Sequence, residues 1–193
     1  MPAKPTLRVE ALKPSHWPAI EQLFGAKGAC AGCWCMFWRL EEGERFDDVK
    51  GAAAKKRFKA LVTKGKAHGF LAFDGDEAVG WLAAGPRRDF KKLDRAPSLK
   101  VDDADRVHAL PCFFVKSGHR GQGVASALLA AAVKALKQDG AKVLEGYPVK
   151  PSKPGARIPA AFAYTGTVPL FEKAGFEVMQ AKATGKQRVR RAL

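Results

Sequence analysis

Apolar and polar positions change their period several times along the chain, and each change marks an element. Residues 6–12 alternate and predict an edge strand. Residues 14–24 predict a short helix, with Ser15 as N-cap and Ile20, Leu23 and Phe24 on one side. Residues 25–39 fit neither period. Glycines open that stretch, and Cys30, Cys33, Trp34, Cys35, Met36 and Trp38 follow, which predicts a buried or cleft-lining segment. Residues 47–62 predict a helix: Asp47 and Asp48 favour its N-terminus, Val49, Ala53, Phe58, Leu61 and Val62 form its apolar side, and Gly65 ends it. The apolar runs 68–73 and 78–84 flank Asp74-Gly75-Asp76-Glu77, a hairpin signal. Residues 86–106 are charged and proline-containing and predict a loop with one short helix.

The second half is more regular. Residues 107–115 form an apolar run interrupted by Pro111, so the strand they predict lies at an edge or carries a bulge. A glycine-rich loop, 118–123, leads into the clearest helix of the chain, 124–138, ended by Gly140. A buried strand, 143–147, and a proline-rich loop, 150–158, follow. Residues 168–174 predict a short helix stopped by Gly175, and 176–181 and 187–192 a closing pair of strands. Short turns join the early strands antiparallel, whereas the strand–helix–strand unit around Gly123 requires a parallel crossover. A mixed α+β sheet follows, with no internal repeat.

Composition narrows the class. The chain has 193 residues, of which 47% are apolar and 27% charged, which fits one folded domain and excludes a disordered chain. No apolar run nears the ~20 residues of a membrane helix, and residues 1–13 lack the pattern of a signal peptide, so a soluble, cytoplasmic protein is expected. The net charge of +15 suits a polyanionic ligand, a nucleic acid or simply a soluble surface.

The residues that bear chemistry are Cys112-Phe-Phe-Val-Lys-Ser-Gly-His-Arg120-Gly-Gln-Gly-Val-Ala-Ser126. A strand ends near Val115, three glycines turn the chain, and a helix begins near Val124. Such a turn leaves several main-chain N–H groups pointing outward at the positive end of a helix, which is an anion site. Glycine also lets a phosphate approach the backbone. Arg120 adds charge and Ser126 a hydroxyl. The Gly-x₄-Gly-Lys-Ser/Thr phosphate loop is absent. Gly121-Gln-Gly123-Val-Ala-Ser126 approaches the dinucleotide fingerprint, with Glu145 where a ribose-binding acid would sit, but Ser126 replaces the third small residue. A purely structural turn is the third reading.

Arg120-Gly-Gln-Gly123-Val-Ala125 resembles the Arg/Gln-x-x-Gly-x-Gly/Ala motif of the GNAT superfamily of N-acetyltransferases. Thr167-Val-Pro-Leu-Phe-Glu-Lys-Ala-Gly175-Phe176 is similar to that superfamily's late helix and following strand. The resemblance spans about residues 7–178 and is specific in its second half. It implies one GNAT-like domain over residues 1–193: a central mixed, twisted sheet of about six to seven strands flanked by helices on both faces. It implies transfer of an acetyl group from acetyl-coenzyme A to a primary amine, by direct attack in a ternary complex, on a small-molecule or peptide acceptor. A homodimer is a further expectation it brings.

Residue by residue, the resemblance implies that the amides of Arg120, Gly121, Gln122, Gly123, Val124, Ala125 and Ser126 hold the pyrophosphate. Phe114, Val115 and Lys116 pair with the pantetheine arm, which enters where the strands at Val115 and Val143 splay apart, and Phe171 lies near the thioester. Many relatives carry a tyrosine acid at that last position; Phe171 has no proton to give, so Tyr164 is the substitute. For the base that deprotonates the acceptor, Glu145 comes first, because burial can raise a carboxylate's pKa, and His108 second. Glu145 reads equally as a substrate anchor or a structural partner.

Cys30, Cys33 and Cys35 offer a half-set of metal ligands without a second Cys-x-x-Cys, and they equally suit a buried pocket wall, so zinc is set aside. In the transferase reading Cys33, Trp34, Cys35, Phe37 and Trp38 line the acceptor pocket, and Cys112 is the place to look for any acyl-enzyme. Two competing readings remain. One is a GNAT-like protein that binds coenzyme A without catalysis. The other is a basic nucleic-acid module using Lys186-Gln-Arg188-Val-Arg190-Arg191, a run that reads otherwise as an edge strand with charges outward.

Overall fold

In the computed structural model, residues 7–151, 153, 156, 158–159, 163–183 and 185–193 are described. Chain order runs β1 (Leu7–Ala11), α1 (Trp17–Phe24), α2 (Phe46–Val49), α3 (Ala52–Thr63), β2 (Gly69–Asp74), β3 (Glu77–Pro86) and α4 (Lys92–Arg95). It continues through β4 (Val107–Val115), α5 (Val124–Gln138), β5 (Val143–Gly146), β6 (Val149–Lys150), α6 (Val168–Lys173), β7 (Glu177–Val178), β8 (Gly185–Lys186) and β9 (Val189–Ala192). The fold class is mixed α+β. One seven-stranded sheet has the order β1-β2-β3-β4-β5-β9-β7, and β6 pairs with β8 in a separate ribbon. Among the described strands, β4 and β5 are the parallel pair, joined through α5. No helix among the described residues is long and apolar enough to cross a membrane.

The sheet is buried on both faces because its strands are apolar on both faces. Leu71, Phe73, Trp81, Ala83 and Ala109 join a core with α1, α3 and the cysteine-bearing segment. Phe70, Ala72, Val79, Leu82, Leu110 and Phe113 join a second core with Leu128, Leu129, Ala132 and Val133 of α5. Gly80 fixes how closely α5 approaches: a Cβ there would meet Val124 Cγ1 at 2.5 Å. That contact places the first turn of α5 directly on β3.

Several expectations are refined. Ser15 is not a cap; residues 14–16 form a tight turn, α1 begins at Trp17, and its start carries no side-chain cap. The helix expected over 47–62 is split into α2 and α3, because Gly51 sits at φ 80° and gives its N–H to Gly32 O at 2.8 Å. That bond ties the cysteine-bearing segment to the start of α3. The hairpin closes through Gly75 and Asp76, with Gly75 at φ 59°.

Pro111 does not lie at an edge. β4 is central, and the β3–β4 register shifts between Ala83 and Gly85, opposite the proline. The β4–β5 pairing stops at Leu110 and Gly146, one residue before Pro111. Proline has no N–H to continue a ladder, so strand separation begins there, deeper than Val115. Val143 itself is paired with Val107. The closing basic strand is likewise interior: β9 lies between β5 and β7.

Candidate active site

Beyond Pro111 the edge of β4 that faces away from β3 is open, and a cleft of about 860 Å³ fills the gap. Its floor is Cys112, Phe113, Phe114 and Val115 of β4. One end is the loop bearing His119, Arg120, Gly121 and Gly123 with Val124, Ala125 and Ser126 of α5. The other end is walled by Ala29, Cys30, Ala31, Cys33, Phe37 and Phe46 on one side, and by Ala163, Tyr164, Gly166, Thr167 and Leu170 on the other.

The loop end is a main-chain cradle. Gly121 and Gly123 sit at φ 75° and 85°, and nothing lies within 4 Å of where a Cβ would stand at either. The first amide of the helix that finds a carbonyl is Ala127, bonded to Gly123 O at 2.9 Å. The N–H groups of residues 121–126 have no main-chain acceptor among the described residues. Side chains do not plug the mouth: Arg120 Nε donates to Val115 O at 3.1 Å and Gln122 Nε2 to Gly118 O at 2.8 Å. Unpaired amides, the positive helix end and open space match a phosphate-bearing ligand.

Of the remaining residues expected at this ligand, Phe114, Val115, Arg120, Val124, Ala125 and Ser126 line the cleft, whereas Lys116, Gln122 and Phe171 do not. Lys116 gives its N–H to Val79 O, receives the His119 N–H on its carbonyl, and pairs its ammonium with Glu77. Phe171 is fully buried beside Phe113 and Phe176. It fills the space left by two glycines: a Cβ on Gly146 would lie 2.3 Å from its ring, and one on Gly166 2.8 Å. Leu170 and Thr167 take the cleft-facing places of that segment.

The wall expected to receive the acceptor divides in the same way. Cys33 and Phe37 face the cleft; Trp34, Cys35 and Trp38 face the core. Trp34 packs on Trp17 and Phe24 and lies over Gly28, where a Cβ would meet its Nε1 at 2.3 Å. The segment is wound through positive φ at Ala29, Ala31, Trp34 and Cys35, each a non-glycine residue. Such conformations persist only where packing over-determines them, and buried Trp34 supplies that. The winding turns Cys30 and Cys33 toward the cleft and Cys35 inward, where its sulfur accepts Trp81 Nε1–H at 3.3 Å. All four cysteines are free thiols, and no metal-holding group of His, Cys, Asp and Glu converges among the described residues. A hydrogen bond with Cys35, reinforced by burial, holds the Cys112 thiol well above its usual range.

Tyr164 stands at the cleft wall, edge-on to Phe37 at 6.4 Å. Burial, aided by the thiols of Cys112, Cys33 and Cys30, pushes its phenol well up. Glu145 and His108 do not line the cleft. Glu145 is fully buried, accepts from Arg87 Nε at 3.1 Å, Arg190 Nε at 2.6 Å and the Tyr147 hydroxyl at 2.7 Å, and lacks the exposure a ribose-binding acid needs. His108 lies on β4 opposite Pro86 and Leu144; burial lowers its pKa, and its Nδ1 is buried without a partner. The basic run near the C-terminus is used internally: Arg190 grips Asp103 through both terminal nitrogens at 2.8 Å, and Arg191 bonds Ala174 O.

Sequence reasoning missed Ala29, Ala31, Phe46 and the stretch around Gly166. The signals were faint. Positive-φ turns at alanine leave no compositional trace, and Phe46 reaches the cleft through a tertiary contact, packed edge-on against Phe37.

Comparison with known proteins agrees with this geometry. The acetyltransferase (GNAT) family matches residues 33–157. No curated protein sequence matches the chain. Among solved structures, an N-acetyltransferase of Staphylococcus aureus Mu50 superposes with a TM-score of 0.56 at 12% identity, over 97% of this chain and 98% of that one. The PaiA N-acetyltransferase of Thermoplasma acidophilum in complex with coenzyme A gives 0.57 at 11%, over 97% and 99%. The YncA protein of Salmonella typhimurium with its cofactor acetyl-CoA gives 0.54 at 13%, over 97% and 94%. With the family match covering more than half its length and the sheet splayed beside a main-chain anion cradle, the chain belongs to the GNAT family of acetyltransferases.

Proposed function

We propose that residues 1–193 form a single N-acetyltransferase domain that moves an acetyl group from acetyl-coenzyme A to a primary amine by direct attack. The observation that carries this reading is the row of unbonded amides over residues 121–126, opening onto a cleft that runs to Tyr164. Those amides and Arg120 would hold the pyrophosphate. The open edge of β4 at Phe113 and Phe114 offers main-chain groups for the extended arm. A polyanionic, extended thioester fits this cleft.

In the transfer, the amine nitrogen forms a bond to the thioester carbon, the carbon–sulfur bond breaks, and its electron pair leaves on sulfur. A proton leaves the nitrogen and one reaches the sulfur. Tyr164, on the cleft wall, would supply the second: its phenol stays protonated at neutral pH because the anion is poorly solvated there. The Cys112 thiol, held protonated, is a poor nucleophile, which favours direct attack over an acyl-enzyme. No carboxylate lines the cleft among the described residues, so solvent takes the amine proton.

The test is a thermal-shift titration with acetyl-coenzyme A, coupled to thiol release across an amine panel. Saturating ligand at 100 Kd should stabilise the fold by about 2.7 kcal/mol. Salt-sensitive oligonucleotide binding without stabilisation by acetyl-coenzyme A would overturn the reading, and stabilisation without thiol release would leave a non-catalytic coenzyme A binder.

A further inference from the structure

The cleft changes character away from the glycine loop. Among the described residues its basic side chains are His119 and Arg120, both at the loop end, and no Asp or Glu lines it. The other end is built from rings, apolar groups and thiols. Phe37 stands edge-on to Phe46 with centroids 5.5 Å apart and edge-on to Tyr164 at 6.4 Å, so the three rings form one corner. Each ring is half-buried, packed against the core on one side and lining the cleft on another. Two ammonium groups lie over these rings without joining the wall. Lys92 Nζ is 3.8 Å from the Phe37 centroid, in a separate small pocket with Glu41 and Glu44, and Lys186 Nζ is 5.5 Å from that of Tyr164. Neither lysine lines the cleft.

The corner lies at the inner end of the open strand edge. β4 and β5 part after Leu110, so Cys112 marks that inner end and Val115 the loop end. The Tyr164 phenol is within electrostatic reach of Cys112, Cys33 and Cys30. An arm anchored at residues 121–126 and running inward along β4 would bring its thioester to Cys112, beside this corner. We infer that the acceptor is a primary amine on a bulky apolar body with no second charge, the body packing against Phe37 and Phe46. This rests on the transferase reading above and names its substrate class. Apolar surface gains by leaving water for such a wall. A second ammonium, guanidinium or carboxylate would lose its water and meet no countercharge among the described lining residues. The same surroundings favour the neutral, reactive form of the incoming amine.

The experiment measures thiol release from acetyl-coenzyme A with phenethylamine, ethylamine, agmatine and L-phenylalanine. Phenethylamine should lead each of the others by at least ~10-fold in kcat/KM, the size expected for burying its ring. Phe46→Asp sets a carboxylate on this wall and should raise the ratio of agmatine to phenethylamine rates ~10-fold or more, with melting temperature and coenzyme A affinity as fold controls. In parallel, N-acetylphenethylamine and N-ethylacetamide are titrated by calorimetry into wild-type protein with coenzyme A. The first should bind at least ~10-fold tighter. Ethylamine, agmatine or L-phenylalanine level with or ahead of phenethylamine, a ratio unmoved by Phe46→Asp in the folded variant, or equal binding of the two amides each overturns the inference. Absent stabilisation by acetyl-coenzyme A, or absent thiol release with every amine, would instead strike the transferase reading, and the amide titration would still judge the apolar corner.

Discussion

Glu145 and Arg190 stand directly opposite one another on β5 and β9, and Arg190 Nε donates to Glu145 Oε2 at 2.6 Å. Arg87, fully buried, donates to the other oxygen at 3.1 Å and also reaches Leu99 O at 2.6 Å and the Asp94 carboxylate. One carboxylate thus joins β5, β9 and the loop after β3. Removing its charge would take one partner from fully buried Arg87, which keeps Asp94 and Leu99 O, and one from Arg190, which keeps Asp103. Glu145→Gln should lower stability by about 3 kcal/mol, measured by urea denaturation, while the folded enzyme keeps its kcat at low temperature. A stable variant with kcat lowered ~100-fold or more would mark Glu145 as the base instead.

Gly123 stands in the left-handed region at φ 85° with open space before it. Gly123→Glu places a carboxylate among the unbonded amides of residues 121–126, where the pyrophosphate is proposed to sit. The backbone strain costs about 1–2 kcal/mol, so the fold survives. Acetyl-coenzyme A should no longer raise the melting temperature. If it does so normally, the pyrophosphate site lies elsewhere.

Tyr164→Phe removes the proposed proton donor and keeps the ring that meets Phe37 and Lys186. Under single-turnover conditions kcat should fall about 100-fold with KM for acetyl-coenzyme A unchanged. Because the phenol's pKa is raised, the wild-type enzyme should show no loss of activity from its ionisation up to pH 9. An unchanged kcat would assign the proton to solvent.

His108 has its pKa lowered, by burial first and then by the charge of His68. Its buried Nδ1 has no acceptor to meet a second proton. Below its unfolded pKa, near 6.5, the unfolded chain binds more protons than the folded one. This contribution is therefore complete above about pH 6.5 and is lost as pH falls toward the lower folded value. His108→Gln should flatten the fall of melting temperature between about pH 7 and 5, and a profile identical to wild type would show that His108 is already solvated when folded.

The sequence by itself determined most of the order of elements and the glycine-rich loop proposed to hold the cofactor, because both are local. The 3.6-residue period of α5, the glycines that admit positive φ at 121 and 123, and the Asp-Gly hairpin act within a few residues of their own position. The family resemblance was legible for the same reason, since its motifs are contiguous. Tertiary structure decided the rest. Glu145 was a charged residue in an apolar strand, and nothing local could reveal that Arg87 and Arg190 converge on it from 58 and 45 positions away. Phe171 sits where a tyrosine was expected, but only packing against Gly146 and Gly166 shows it to be core. Which cysteine faces the cleft was set by backbone turns at Ala29, Ala31, Trp34 and Cys35, which buried Trp34 enforces. Local chemistry wrote the elements; long-range packing chose which of their side chains line the cleft.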